Sequence, residues 1–208
     1  MRLDAKKLRV SEPMEEDLAK IVRRQIYIIC DNILDTYNIG SIFRLADAVG
    51  ASGVYLCGES ETPPNIKIHR AAIGTDKWVP WRYFADAKSA ISNIKYQISN
   101  IKIVAIEQTK KSKDFREVEY KEPVAFVVGH ETSGISKEAL EACDEVVELP
   151  MYGINVSLNV MVSLAIVLYH VIRTGPVSIF PPAESEARLR RPASAHTFRK
   201  TVFCKPKR

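Results

Sequence analysis

Ser157 and Asn159 stand two residues apart at the head of an apolar run, residues 160–172. That run is too long for an ordinary strand and lacks a polar stripe, so it reads as a buried helix. Ser157 is read as its N-cap, because a serine hydroxyl accepts from the exposed N–H groups of a first helical turn. Such a helix start gathers backbone N–H groups, a hydroxyl and an amide at one point. It can hold a carboxylate or another polar ligand group, and the same residues also describe an ordinary capped core helix. A second polar set is Asn38 and Arg44. Arg44 falls on the polar side of an otherwise apolar helical stretch, where a plain surface or salt-bridging arginine also belongs. A third set is Gly129 and Glu131, just past the apolar run 124–128. Gly129 leaves room for a ligand to approach the backbone, or is a turn glycine. Glu131 could accept from Arg44 or from a substrate hydroxyl, or simply sit in the first turn of a helix, where acids are favoured.

These side chains need elements to position them. A charged helical lead-in is expected over 12–24 and a first buried strand over 26–30. After a loop, Asn38 is expected to cap a helix running to Val49, with Ile39, Ile42, Phe43, Ala46 and Val49 on one face and Gly50 ending it. A second strand follows at 53–57, then a loop over 58–65, a polar connection over 69–77 and a short strand within 78–84. Residues 86–98 have helical spacing, with Ala87, Ala90, Ile91 and Ile94 inward. Strands are expected at 102–106, 124–128 and 146–149, and a helix at 136–142. The alternation predicts an α/β fold, a mainly parallel sheet flanked by helices. In such sheets ligands lie at the carboxyl ends of the strands. Asn38 and Arg44, then Glu107 and Gln108, then Gly129 and Glu131, then Met151 and Gly153 each follow a strand. Their convergence at one rim predicts a shared site.

Composition narrows the class. The chain has 208 residues, 46% of them hydrophobic, which suits one domain with tails. Of its 30 basic residues, eight lie in the last 22 positions with no acid among them: Arg188, Arg190, Arg191, Arg199, Lys200, Lys205, Lys207 and Arg208. The other 22 basic residues face 25 acidic ones, so the net charge of +5 resides in the tail. A basic tail can bind nucleic-acid phosphates or be a solvated end. Cys30, Cys57, Cys143 and Cys204 have no paired spacing, and the histidines do not cluster. That predicts no metal site and no disulfide framework. The opening MRLDAKKLRV has no signal-like core, and the apolar run is interrupted by Ser163, Tyr169 and His170. A cytoplasmic protein without a membrane segment is expected. Neither GxGxxG after a strand nor GxxxxGK[ST] occurs, which argues against a nicotinamide Rossmann enzyme and a P-loop nucleotidase.

Three blocks carry a family likeness. They are DNILDTYNIGSIFRLADAVG (31–50), VVGHETSGISKEALEACDEVVELPM (127–151) and SLNV (157–160). In this order and spacing they resemble the three motifs of the SpoU/TrmH class of the SPOUT superfamily. Members of that class are RNA ribose 2′-O-methyltransferases that use S-adenosylmethionine. The resemblance covers residues 26–173. It implies a deep C-terminal trefoil knot, with the last helix tucked through a loop, which periodicity never predicts. It also accounts for the missing glycine-rich first turn of the commoner methyltransferase fold.

The resemblance implies roles too. Asn38, Gly40 and Arg44 match the first motif, making Arg44 the catalytic arginine at the ribose 2′-hydroxyl and Asn38 its orienting partner. A guanidinium hardly ever deprotonates, so Arg44 is read as binding the adjoining phosphate and stabilising the developing alkoxide. Glu131, Ser157 and Asn159 carry over as active-site residues. Gly129, Leu149 and Leu158 contact S-adenosylmethionine, with Ile106, Glu107 and Met151 as neighbours. His130 and His170 are read as structural. Two departures stand out. Asp35-Thr36-Tyr37 precedes Asn38 where the family often has proline or histidine, and His130 replaces a frequent asparagine. The expected layout is an N-terminal helical extension (1–25), the methyltransferase domain (26–175) and a basic tail (176–208). Without a sizeable N-terminal RNA-binding domain, transfer RNA is favoured over ribosomal RNA, and a homodimer is expected. A non-catalytic RNA-binding protein of this fold and a base-modifying enzyme remain as alternatives.

Overall fold

In the computed structural model, which describes residues 3–174, seven strands form one sheet. They are β1 (Arg24–Asp31), β2 (Ala51–Cys57), β3 (Trp81–Phe84), β4 (Lys102–Ile106), β5 (Lys113–Asp114), β6 (Val124–Val128) and β7 (Glu145–Glu148). Their spatial order is β3-β2-β1-β6-β4-β7-β5, and every pairing is parallel. A parallel sheet covered on both faces needs apolar residues pointing both ways. The two central strands meet that demand: Ile26 to Cys30 and Val124 to Val128 are all buried.

The helices are α1 (Ala5–Val10), α2 (Glu15–Ala19), α3 (Thr36–Ala48), α4 (Ile66–Ala72), α5 (Ala87–Gln97), α6 (Lys137–Ala142) and α7 (Val160–Thr174). Alternate residues of β1 divide the core. Ile26, Ile28 and Cys30 pack with Phe43 of α3, Ile68 of α4 and Leu164 of α7 on one face. Tyr27 and Ile29 pack with Ile91 of α5 and Ala139 of α6 on the other. The expected α/β layering is therefore present.

Several local expectations give way. The supposed polar connection 69–77 contains most of α4 and a 3₁₀ turn, Thr75–Lys77. Asn65 caps α4, accepting from the N–H groups of Lys67 and Ile68 at 2.9 and 3.3 Å. Only Ile68 and Ala72 are buried, and the Lys, His and Arg residues around them hide the pattern. Asp35, not Asn38, caps α3, accepting from Tyr37 N at 2.8 Å. Asn38 lies inside the first turn, buried. Asn159, not Ser157, caps α7, its Oδ1 accepting from Met161 N at 3.0 Å and Val162 N at 3.4 Å. The expected lead-in over 12–24 shrinks to α2, with α1 before it and β1 already begun at Arg24. β5 was unforeseen because two charged residues carry no strand signal.

The N-terminal segment rests on α4. His69 Nδ1 lies 3.0 Å from Asp76 Oδ1, and its Nε2 lies 3.2 Å from the Arg9 carbonyl. Lys77 pairs with Glu12. Gly74 has φ +92°, and a Cβ there would fall 2.4 Å from the Leu8 carbonyl oxygen, so only glycine allows this approach. Among the described residues, no helix is long and apolar enough to cross a membrane. The basic tail falls outside the described residues.

Candidate active site at the carboxyl rim of the sheet

A cavity of about 620 Å³ opens beyond the carboxyl ends of β4, β6 and β7. Three stretches wall it: Ile106 to Gln108, Val128 to Gly134, and the coil from Glu148 through Ser157 to the start of α7. Ile106, Glu107, Gly129, Leu149, Met151 and Leu158 all line it, as do Glu131, Ser157 and Asn159. Gln108, Asn155 and Ser163 line it as well. Gln108 was placed at the rim by the sequence, whereas Asn155 and Ser163 gave no signal beyond proximity to the third block.

The wall after β6 is a tight hairpin. His130 and Gly134 exchange two backbone hydrogen bonds, at 3.0 and 2.9 Å. His130 Nδ1 accepts from the N–H groups of Thr132 and Ser133 at 2.9 and 3.2 Å, which fixes the other ring nitrogen as the protonated one in the neutral form. His130 thus holds the hairpin through Nδ1, bonds that an asparagine oxygen could also take, while it lines the cavity. Gly129 lines the cavity and also has a reason within the protein. A Cβ there would fall 2.3 Å from Gly134 C and Ile135 N, so the glycine lets the hairpin fold back on the strand end.

The three blocks meet in one directional chain of hydrogen bonds. Asn159 Oδ1 takes the first amides of α7, and its Nδ2 donates to Asn38 Oδ1 at 2.9 Å. Asn38 Nδ2 then donates to Glu131 Oε1 at 2.9 Å. An ionised carboxylate only accepts, so Glu131 dictates which way both amides point. The backbone N–H groups of Asp35 and Leu34 also approach Glu131, at 3.3 and 3.5 Å. Burial alone would raise the pKa of Glu131, but these donors outweigh it and hold the carboxyl below its usual range.

Two expected members stand differently. Ser157 is exposed, and its N–H donates to Asn155 Oδ1 at 3.3 Å. Arg44 is exposed on α3 and does not line the cavity of its own chain. No hydrogen bond or ion pair engages it among the described residues.

The lining states what the cavity can hold. Among the described residues, three carboxylates, Glu107, Glu131 and Glu148, line it, and no lysine or arginine does. A nucleotide polyphosphate would find no cation there, whereas a positively charged nucleoside would be favoured. Its size suits a small cofactor, and Ile106, Leu149, Met151 and Leu158 supply apolar walls. S-adenosylmethionine, a nucleoside with a sulfonium and an ammonium group, fits that lining.

An open parallel sheet with an acid-lined pocket at its carboxyl rim defines an α/β enzyme for a cationic nucleoside cofactor. Residues 25–169 match the model of the SpoU rRNA Methylase family, and the chain belongs to that family. It is an RNA methyltransferase and its cofactor is S-adenosylmethionine. Among curated relatives it is 33% identical over 153 residues to a tRNA (guanosine(18)-2′-O)-methyltransferase of Aquifex aeolicus, covering 73% of this chain and 70% of the relative. It is 30% identical over 174 residues to the enzyme of that name from Thermus thermophilus, covering 83% and 84%. Among solved structures, the A. aeolicus TrmH/SpoU tRNA modifying enzyme aligns with TM-score 0.65 and 31% identity over 81% of each chain. An AdoMet-bound rRNA methyltransferase from Sinorhizobium meliloti aligns with TM-score 0.66 and 29% identity, over 80% of this chain and 59% of that one.

Proposed function

We propose that this enzyme methylates a ribose 2′-hydroxyl of transfer RNA. The observation that carries the reading is the chain Asn159–Asn38–Glu131, which joins all three sequence blocks at the mouth of an acid-lined cavity. The names of the two curated relatives support the transfer-RNA substrate. Bound in the cavity, the cofactor supplies an electrophilic methyl group. Ile106, Leu149, Met151 and Leu158 would hold its adenine by apolar contact, and backbone groups at Gly129 and Glu107 would be available to it. Asn38 and Asn159, locked in orientation by Glu131, present fixed polar groups beside the ribose, with Ser157 at the rim. Arg44 binds the adjoining phosphate and stabilises the alkoxide as it forms.

Arg44 lies away from the cavity of its own chain, so this reading includes a twofold homodimer in which it serves the partner's pocket. α7 supports that assembly. Its inner face, Leu164, Val167, Leu168 and Val171, is buried, yet Val162, Ile166 and Tyr169 form an exposed stripe at i, i+4 and i+7. Leu34 and Tyr37, within the first block, are exposed too. A helix apolar on both faces suits a partner surface. The reading also takes α7 as tucked through the preceding coil in a trefoil knot. In support, α7 packs on α3 and β6, and its lead-in, 151–159, shares the cavity with the β6 hairpin.

The test is mass mapping of ribose methylation in total RNA from cells with and without the gene. Loss of one 2′-O-methyl nucleoside from transfer RNA is expected. Loss of a base methylation instead, or of none, would overturn the proposal.

A further inference from the structure

Asp31 closes β1 with its side chain 1% exposed, and neither the cavity nor the Asn159–Asn38–Glu131 chain uses it. Its Oδ2 accepts from both Ser136 N, at 2.8 Å, and Ser136 Oγ, at 2.6 Å. Its Oδ1 accepts from Asn32 Nδ2 at 2.9 Å. A second carboxylate mirrors it. Glu107, just beyond β4, accepts from Ile135 N through Oε2 at 2.9 Å. The strand order explains the symmetry: β6 runs between β1 and β4, so the loop leaving β6 passes between the ends of its two neighbours. Each neighbour sends one carboxylate to consecutive amides, 135 and 136, where the loop returns to the sheet.

We propose that Asp31 is a positioning residue for cofactor binding, which with Glu107 clamps the loop 129–136 from both sides. That loop supplies Gly129, His130, Glu131, Thr132 and Gly134 to the cavity. The His130–Gly134 bonds fix the hairpin's own shape, and Glu131 ties its tip to Asn38 and to the backbone at Asp35 and Leu34, on the α3 side. The two outside carboxylates fix where the hairpin stands relative to β4 and β7, whose ends form the other walls. Asp31 reaches the cofactor only through this loop, because it touches no part of the cavity itself. The inference rests on reading the cavity as the cofactor pocket.

The experiment measures S-adenosylmethionine affinity by calorimetry, kcat at saturating cofactor, melting temperature, and hydrogen exchange of loop amides in the full chain. Asp31→Ala should loosen cofactor binding roughly tenfold, the loss of about one charge-assisted hydrogen bond. It should leave kcat within about twofold, since the clamp places the ground-state pocket and touches no reacting atom. Exchange at the Ile135 and Ser136 amides should accelerate by a similar factor. Asp31→Asn should recover most of the affinity, because its single oxygen can still serve Ser136. Should Asp31→Ala fail to fold, Ser136→Ala removes only the hydroxyl bond and should loosen binding about threefold. A folded variant with normal affinity and only a lower melting temperature would overturn the proposal. Leu149→Arg, which fills the cavity wall, separates the premise: normal cofactor binding in that variant would discard the pocket, and the loop exchange in Asp31→Ala would still judge the clamp.

Discussion

Arg44 and Glu131 are the two charged residues to which the proposed reaction assigns a part, and their surroundings set opposite expectations. Arg44 is exposed and unpaired among the described residues, so it contributes little to folding or to the cofactor pocket. Arg44→Ala should lower kcat by about 10²-fold or more, the scale of one lost transition-state donor. S-adenosylmethionine affinity should stay within about twofold, which single-turnover kinetics and calorimetry would read separately. Glu131 accepts from three donors, Asn38 Nδ2 and the N–H groups of Asp35 and Leu34, that favour its charged form. Its folded pKa lies below the unfolded value, so the stabilisation is present above about pH 4.5 and is lost as pH falls through the lower folded value. Glu131→Gln would point an amide N–H₂ at donors. It should cost about 1 kcal/mol at pH 7, a modest figure because solvent reaches this carboxylate. Denaturant midpoints should show wild type and Glu131→Gln converging as the pH is lowered through the acid range; a constant gap would refute the linkage. The residue types at the site were legible in the sequence, but their bonding was not. Ser157 and Asn159 are equally good caps by type, and only the path of 151–159 decided that Asn159 takes the α7 amides.

At the scale of elements, the glycine of the first block shows what a one-dimensional reading loses. Gly40 sits inside α3, where glycine weakens a helix, and the likeness to a family motif explains nothing physical. The structure supplies the reason. A Cβ at Gly40 would fall 2.5 Å from Ala71 Cβ and 2.6 Å from the Ile68 carbonyl oxygen, so α3 and α4 touch backbone to backbone. Gly40→Ala should therefore destabilise the fold by about 1–3 kcal/mol of overpacking strain, even though alanine is the better helix former. Thermal or denaturant unfolding checks this; an unchanged or raised midpoint would show that α4 shifts freely. The sequence concealed α4 because its buried residues are only Ile68 and Ala72, set among Lys67, His69 and Arg70. The central strands were legible because each is a continuous apolar run buried on both faces, and α5 because its inward residues repeat at helical spacing. Gly129 was singled out as a residue that needs no side chain, and the close approach of its own loop at Gly134 and Ile135, which only the folded hairpin reveals, is one reason.

For the whole molecule, the tension is between the cavity proposed to hold the cofactor and an arginine that does not line it. Periodicity placed Asn38 and Arg44 on one helix, but they lie six residues apart and therefore face different sides of it. Asn38 turns inward to Glu131 and Asn159, while Arg44 points to solvent. The proposed homodimer would resolve this by bringing Arg44 to the partner's cavity while covering the apolar stripe of α7. Two inactive variants test the arrangement. Arg44→Ala leaves the pocket whole. Gly129→Val drives a side chain into the Gly134–Ile135 backbone and should destroy the pocket while leaving Arg44 in place. Each alone should be inactive as a dimer. Under verified subunit exchange, random mixing makes about half the dimers mixed. If Arg44 serves the partner's pocket, each mixed dimer has one doubly damaged site and one intact site, so activity should return to roughly a quarter of wild type. If Arg44 serves its own chain, each site keeps one lesion and no activity returns.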